Sequence, residues 1–216
     1  MTARDAALAE LRGWHAPSPG QAGLRDVYVA HLVSHVDGLS RECQPGHVTA
    51  GALVLSAGLD AVLLNLHAKA GRWFHFGGHV EDDDGSLLDA ARREAAEESG
   101  IADLVVDPTP VHLDLHHVEF CRPHGRADHL DVRYAALAPA GARARASEES
   151  LAVRWWPLDA LPDLEPEMHT LIALSRERLQ SSPRGQARRG ARPDAELPAS
   201  PGSQPPASPS SRAPAE

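Results

Sequence analysis

Cysteine is scarce in this chain: Cys43 and Cys121 are the only two in 216 residues. They form neither a disulfide framework nor a metal-type spacing, and a reducing compartment suits them. Aromatic residues are equally sparse at 4%, so the core has to be assembled from Leu, Val and Ala. Long apolar runs are missing too. The opening MTARDAALAELRGW lacks the hydrophobic segment of a signal peptide, and nothing later approaches the length of a membrane span. The reading is a cytoplasmic protein with no membrane partner. Positive charge is also in short supply, with a formal net charge of −9. That balance argues against nucleic acid as a partner, because such affinity comes from neutralising phosphates. It leaves room for a phosphorylated small molecule, since a divalent cation supplies positive charge locally.

What is present is enough for one domain, with 42% hydrophobic residues. Residues 1–46 read as a helical lead, with helices over Ala6 to Trp14 and about Gln21 to Val36. In the second, Leu24, Val27, Val29, Ala30, Leu32 and Val33 crowd towards one side, suiting either a cover over a pocket or a homodimer face. Residues 47–180 alternate strand and helix signals. Val48 to Ala57 and Ala61 to His67 flank a Gly58-Leu59-Asp60 turn as a hairpin, and Arg72 to Phe76 is a short strand ending at Gly77-Gly78. Further strands follow in LVVD, PVHLDLHHVEF, HLDVRYAAL and VRWWPL, with a terminal helix in PDLEPEMHTLIALSRERL. Residues 181–216 are Pro, Ser, Ala and Arg with almost nothing to bury, and read as a disordered tail. Strands with a central and a terminal helix imply an α/β fold, a mixed sheet sandwiched by helices.

The chemistry concentrates in GGHVEDDDGSLLDAARREAAEESGI, Gly77 to Ile101. Ser86 is suited to N-cap a helix, with Asp89 as capping-box partner, and Gly100 to end it. Glu94, Glu97 and Glu98 stand at i, i+3 and i+4, so one helix face presents three carboxylates. Such charges repel without a counter-ion, and a hard divalent cation with oxygen preference relieves them. Arg93 precedes Glu97 by four residues and is placed to hold it by a hydrogen-bonded ion pair. Gly77 and Gly78 allow the backbone to turn sharply where a side chain would block a phosphate.

This stretch resembles the signature of the Nudix hydrolases: Gly, five residues, Glu, seven residues, Arg-Glu, an aliphatic position, any residue, Glu-Glu, any residue, Gly and an aliphatic position. Arg93 to Ile101 match its second half in full, with Ala95 as the small aliphatic residue. The first half departs from it. Counting back without a gap puts Gly85 at the glutamate position and His79 at the glycine. One extra loop residue instead gives Gly78 and Asp84, and sets GGHVE on the family's Gly-Gly-x-x-Glu lead-in. The resemblance implies an α/β/α sandwich with a mixed β-sheet and dependence on Mg2+, with Mn2+ as an alternative. It implies hydrolysis of a phosphoanhydride in a nucleoside diphosphate linked to another moiety, a nucleotide-derived small-molecule substrate. Glu94, Glu97 and Glu98 would bind the metal. Glu97 and Glu98 with Arg93 would form the catalytic set, Arg93 orienting a carboxylate. Glu148 and Glu149 are loop candidates for the general base. The competing reading is a non-catalytic Nudix-like sensor, which would be expected to lack a box glutamate or to carry a DNA-binding domain.

The histidines form no zinc-type spacing. His112, Asp114 and His116 alternate onto one strand face, as do His129, Asp131 and Arg133. If those strands pair, His116, His129 and Arg133 join Gly77, Gly78 and His79 as substrate-binding candidates. His47 reads as a singleton. His79, beside Gly78, is the histidine best placed to reach a phosphate, and Cys121 reads as a small loop residue.

Overall fold

The computed structural model describes residues 1–121, 123, 125–147 and 150–182, and the expectations for Glu148, Glu149 and 183–216 lie outside the described residues. Strands β1 (Gly46–Leu55) and β2 (Ala61–His67) form the expected hairpin, in which Leu59 takes the left-handed conformation at φ 58°. Strands β3 (Trp73–Phe74), β4 (Phe76–His79), β5 (Val105–Val106), β6 (His112–Cys121), β7 (Gly125–Leu137) and β8 (Ser150–Pro157) complete one mixed sheet. The helices are α1 (Ala3–Gly13), α2 (Pro19–Ser34), α3 (Leu87–Ser99) and α4 (Pro166–Ser181).

β1 organises the sheet. One edge pairs in parallel with β7 along its whole length, from Gly46↔Asp128 to Leu55↔Leu137. The other edge is shared: β2 pairs at Val54 and Leu55, and β4 at Thr49 to Ala52. The sheet therefore forks between β2 and β4. All ten residues of β1 are buried, as expected of a strand covered on both faces.

Alternation sends the two faces into two cores. Val48, Ala50, Ala52 and Val54 pack with Val132 and Tyr134 beneath α1, α2 and α3. Leu53, Leu55, Ala135 and Leu137 pack with Leu171 and Ile172 of α4. The N-terminal lead is thus built into the first core. Leu11 and Trp14 are buried there, and the Trp14 indole donates to the Pro110 carbonyl at 2.6 Å. The stripe expected on α2 is narrower than its sequence suggests. Tyr28 and Leu32 are buried, whereas Val27 and Val33 are half exposed, so the apolar run there exceeds the face that packs. Among the described residues no helix is long and apolar enough to cross a membrane.

Candidate metal centre at the sheet fork

α3 begins and ends where its sequence dictates. The Ser86 hydroxyl accepts the Asp89 amide at 3.2 Å, and Gly100 closes the helix in the left-handed region at φ 69°. Asp89 accepts the Ser86 hydroxyl at 2.7 Å instead of its amide, so the expected capping box is half made. Leu87, Ala90, Ala91 and Ala95 seat the helix on the sheet. The small volumes of the three alanines let its backbone approach β1 and β4.

This seating carries Glu94 and Glu98 inward, one turn apart, against the two glycines of β4. Glu98 sits in the fork. It accepts the Gly77 amide at 2.9 Å and stands 3.4 Å from the Asn65 side-chain amide on β2. Glu94 lies over Gly78, where an added Cβ would fall 2.6 Å from its Oε1. Gly77 meets the backbone of β1, and its Cβ would fall 2.6 Å from the Gly51 Cα. Neither glycine has positive φ. The sharp turn expected at Gly77-Gly78 is replaced by extended strand, and glycine is needed there for close packing of α3 and β1.

Arg93 ties the loop to the helix. Its guanidinium donates to Asp84 at 2.9 and 3.3 Å, to Glu94 at 3.0 Å and to the His79 carbonyl at 2.8 Å. The anticipated contact with Glu97 exists but is longer, at 3.4 Å, and Glu97 itself points outward, 62% exposed. The helix thus divides its three glutamates, Glu94 and Glu98 inward and Glu97 at the rim. Asp84 is buried and also accepts the Glu81 amide at 2.8 Å. Burial raises its proton affinity, but the bonds from Arg93 and Glu81 outweigh it and hold the carboxyl below its ordinary range.

Charge around Arg93 does not balance. Glu81, Asp84, Glu94 and Glu97 all lie within 4.0 Å of the one guanidinium, and Glu98 adds another carboxylate. Burial pushes the Glu94 carboxyl upward, and Arg93 only partly opposes that. Surplus buried carboxylate of this kind fits a hard, oxygen-liganded divalent cation.

The opposite sheet face holds a different set. β6 and β7 pair as alternation suggests, with His112↔Arg133, Asp114↔Asp131 and His116↔His129. Arg133 is buried between Asp131 and Asp114, at 2.8 Å from each. Asp131 also accepts the Thr49 hydroxyl at 3.1 Å and pairs with His75 at 3.2 Å. Burial opposes ionisation of Asp131, yet Arg133 and His75 hold its carboxyl well below the ordinary range. Alternation places this network, with His116 and His129, across the sheet from Glu94 and Glu98. The His79 ring belongs there too, so its imidazole does not face the helix. Its Nε2 lies 3.3 Å from the Cys121 sulfur, and its ring centroid is 5.0 Å from His47 and 5.2 Å from His129. His47, a singleton by sequence spacing, and Cys121, expected in a loop, both join this group.

A NUDIX domain model matches residues 45–174. No curated protein matches the chain. Among solved structures it is similar to a NUDIX-family hydrolase from Clostridium perfringens, with 22% identity, 62% of this chain and 96% of that one covered, and a TM-score of 0.48. An Ap4A hydrolase of C. elegans matches at 20% identity over 62% and 98% of the two chains, TM-score 0.49. The NUDIX domain of Shewanella oneidensis NrtR, complexed with ADP ribose, matches at 22% identity over 65% and 92%, TM-score 0.45. The domain match takes in every strand and the glutamate-bearing helix, and the chain belongs to the Nudix hydrolase family.

Proposed function

We propose that this protein hydrolyses a phosphoanhydride bond in a nucleoside diphosphate linked to another group, using Mg2+ held by Glu94, Glu98 and the rim carboxylate Glu97. The observation that supports this most is the surplus of carboxylates around Arg93, two of them aimed at the glycine strand. A metal bound there supplies charge neutralisation for the diphosphate and lowers the pKa of an attacking water. The chain's own residues do the positioning. Arg93, anchored by Asp84 and the His79 carbonyl, sets Glu94, while the Gly77 amide sets Glu98. Gly78 keeps the ground beside Glu94 free of side chain. The alternative, a nucleotide sensor without catalysis, is disfavoured because Glu94, Glu97 and Glu98 are all retained.

The test is a product-release screen with Mg2+ and with Mn2+ over nucleoside diphosphate sugars, dinucleoside polyphosphates, ADP-ribose, oxidised nucleotides and NAD-like dinucleotides. One class should be turned over in a chelator-sensitive way, and Glu98→Gln should lower its kcat by about 100-fold or more. Undiminished activity in that variant would refute the metal assignment. No hydrolysis of any class would favour the sensor.

A further inference from the structure

We infer that His47, His79, Cys121 and His129 form a second metal site, a closed three-histidine, one-cysteine site for Zn2+, distinct in chemistry and in sheet face from the glutamate centre. One donor atom from each lies within 4.8 Å of the other three. The donors come one each from four adjacent strands, in the order β4, β1, β7, β6. His47 pairs directly with His129, and His79 pairs with Thr49, two residues beyond His47 and on the same face.

Cys121 joins them through an irregularity. His116 and Val118 oppose His129 and Ala127, but the register then shifts so that Cys121 opposes Gly125. Three residues on β6 thus span two on β7. Without that bulge Cys121 would lie on the other face of the sheet. The bulge swings the sulfur to 3.3 Å from His79 Nε2 and 3.6 Å from His47 Nε2. Zn–N and Zn–S bonds of about 2.05 and 2.3 Å, set tetrahedrally, require N···S edges of about 3.6 Å. Two of these edges, from the sulfur to His79 and to His47, already stand at that separation, and the remaining donors lie within 4.8 Å.

Hydrogen bonding alone does not satisfy every ring nitrogen of this group. A thiol has one proton and donates to His79 or to His47, not to both. The buried His129 Nε2 makes no hydrogen bond among the described residues. One cation satisfies all four lone pairs. Binding releases the thiol proton to solvent and leaves a thiolate on the metal. Imidazole and thiolate donors select Zn2+ over the Mg2+ suited to carboxylates, and four protein ligands leave no open position, so the site is structural. It ties together four strand ends, and through His79 it fixes the carbonyl that anchors Arg93.

The 216-residue chain, purified without chelator and dialysed against Mg2+, should retain one Zn2+ per chain. Replacement by Co2+ should give a thiolate-to-cobalt charge-transfer band and the strong visible bands of a tetrahedral ion. Cys121→Ser should abolish the charge-transfer band and weaken Zn2+ binding by more than about 100-fold. Cys43→Ser and Glu98→Gln should leave both unchanged, which separates this site from the glutamate centre. The wild-type cobalt spectrum decides the matter even if Cys121→Ser fails to fold. A folded wild-type chain lacking the charge-transfer band at stoichiometric Co2+, or Zn2+ retention lost in Glu98→Gln instead of Cys121→Ser, would overturn the proposal.

Discussion

Adding a single methyl group at Gly78 should separate activity from stability. An alanine Cβ there falls 2.6, 2.8 and 2.9 Å from Oε1, Cδ and Oε2 of Glu94, against an ordinary contact beginning at 3.4 Å. The carboxylate must therefore retreat by about 0.8 Å. Glutamate is flexible at its far end, so the fold absorbs this cheaply and the unfolding midpoint should barely move. A metal ligand does not absorb it. Misplacement of a catalytic group by about 1 Å is worth about 100-fold in rate, or about 2.7 kcal/mol. Gly78→Ala should thus lower metal-dependent kcat by about that factor in a steady-state assay on the substrate class found by the screen. The neighbouring variant is the control. Gly77→Ala drives its Cβ to 2.6 Å from the Gly51 Cα and 3.0 Å from the Ala50 carbonyl oxygen, both backbone atoms. It should lose about 3 kcal/mol of stability in urea unfolding, as the β1–β4 ladder opens. If Gly78→Ala keeps kcat within threefold of wild type, Glu94 is not holding the metal.

Three further outcomes are expected. Asp84→Asn removes the charge that anchors Arg93 at 2.9 and 3.3 Å and should lower kcat by about 10-fold; Asp84→Glu should recover most of it, and equal loss in both would show a packing effect instead. Asp131→Ala leaves buried Arg133 with Asp114 alone and should cost about 3 kcal/mol by urea unfolding, so a loss below about 1 kcal/mol would contradict the buried network. Burial pushes His112 down to about 4, so it stays neutral in the fold while the unfolded chain takes up a proton near pH 6.5. Its contribution is complete above pH 6.5 and falls away towards pH 4, by up to about 3 kcal/mol, and His112→Gln should flatten that part of the stability–pH curve.

Much of the glutamate centre was legible in sequence because it is local. Glu94 and Glu98 lie within one helix capped by Ser86 and Gly100, and helical periodicity carries such information directly. Alternation likewise gave which residues of β6 share a face and which of β7 do, while the register that sets His116 against His129 came from the pairing itself. Local spacing did not reveal which glutamates point inward. That depends on Ala90, Ala91 and Ala95 seating α3 on β4, and it left Glu97 at the rim.

Composition, the two ends of α3, the hairpin and the carboxylate motif were thus set by the chain's own order of residues, whereas α1 and α2 each begin and end two or three residues earlier than their apolar pattern suggests, apart from the one-residue shift at the end of α1. The fork between β2 and β4 was decided by tertiary structure, as was the parallel pairing of β1 with β7, which brings His47 beside His129 and Thr49 onto Asp131. Parallel pairing joins segments with a long crossover between them, so neither strand carries a local mark of its register. The bulge before Cys121 matters for the same reason. One added residue reverses which side a side chain faces, and only the partner strand shows that it is there.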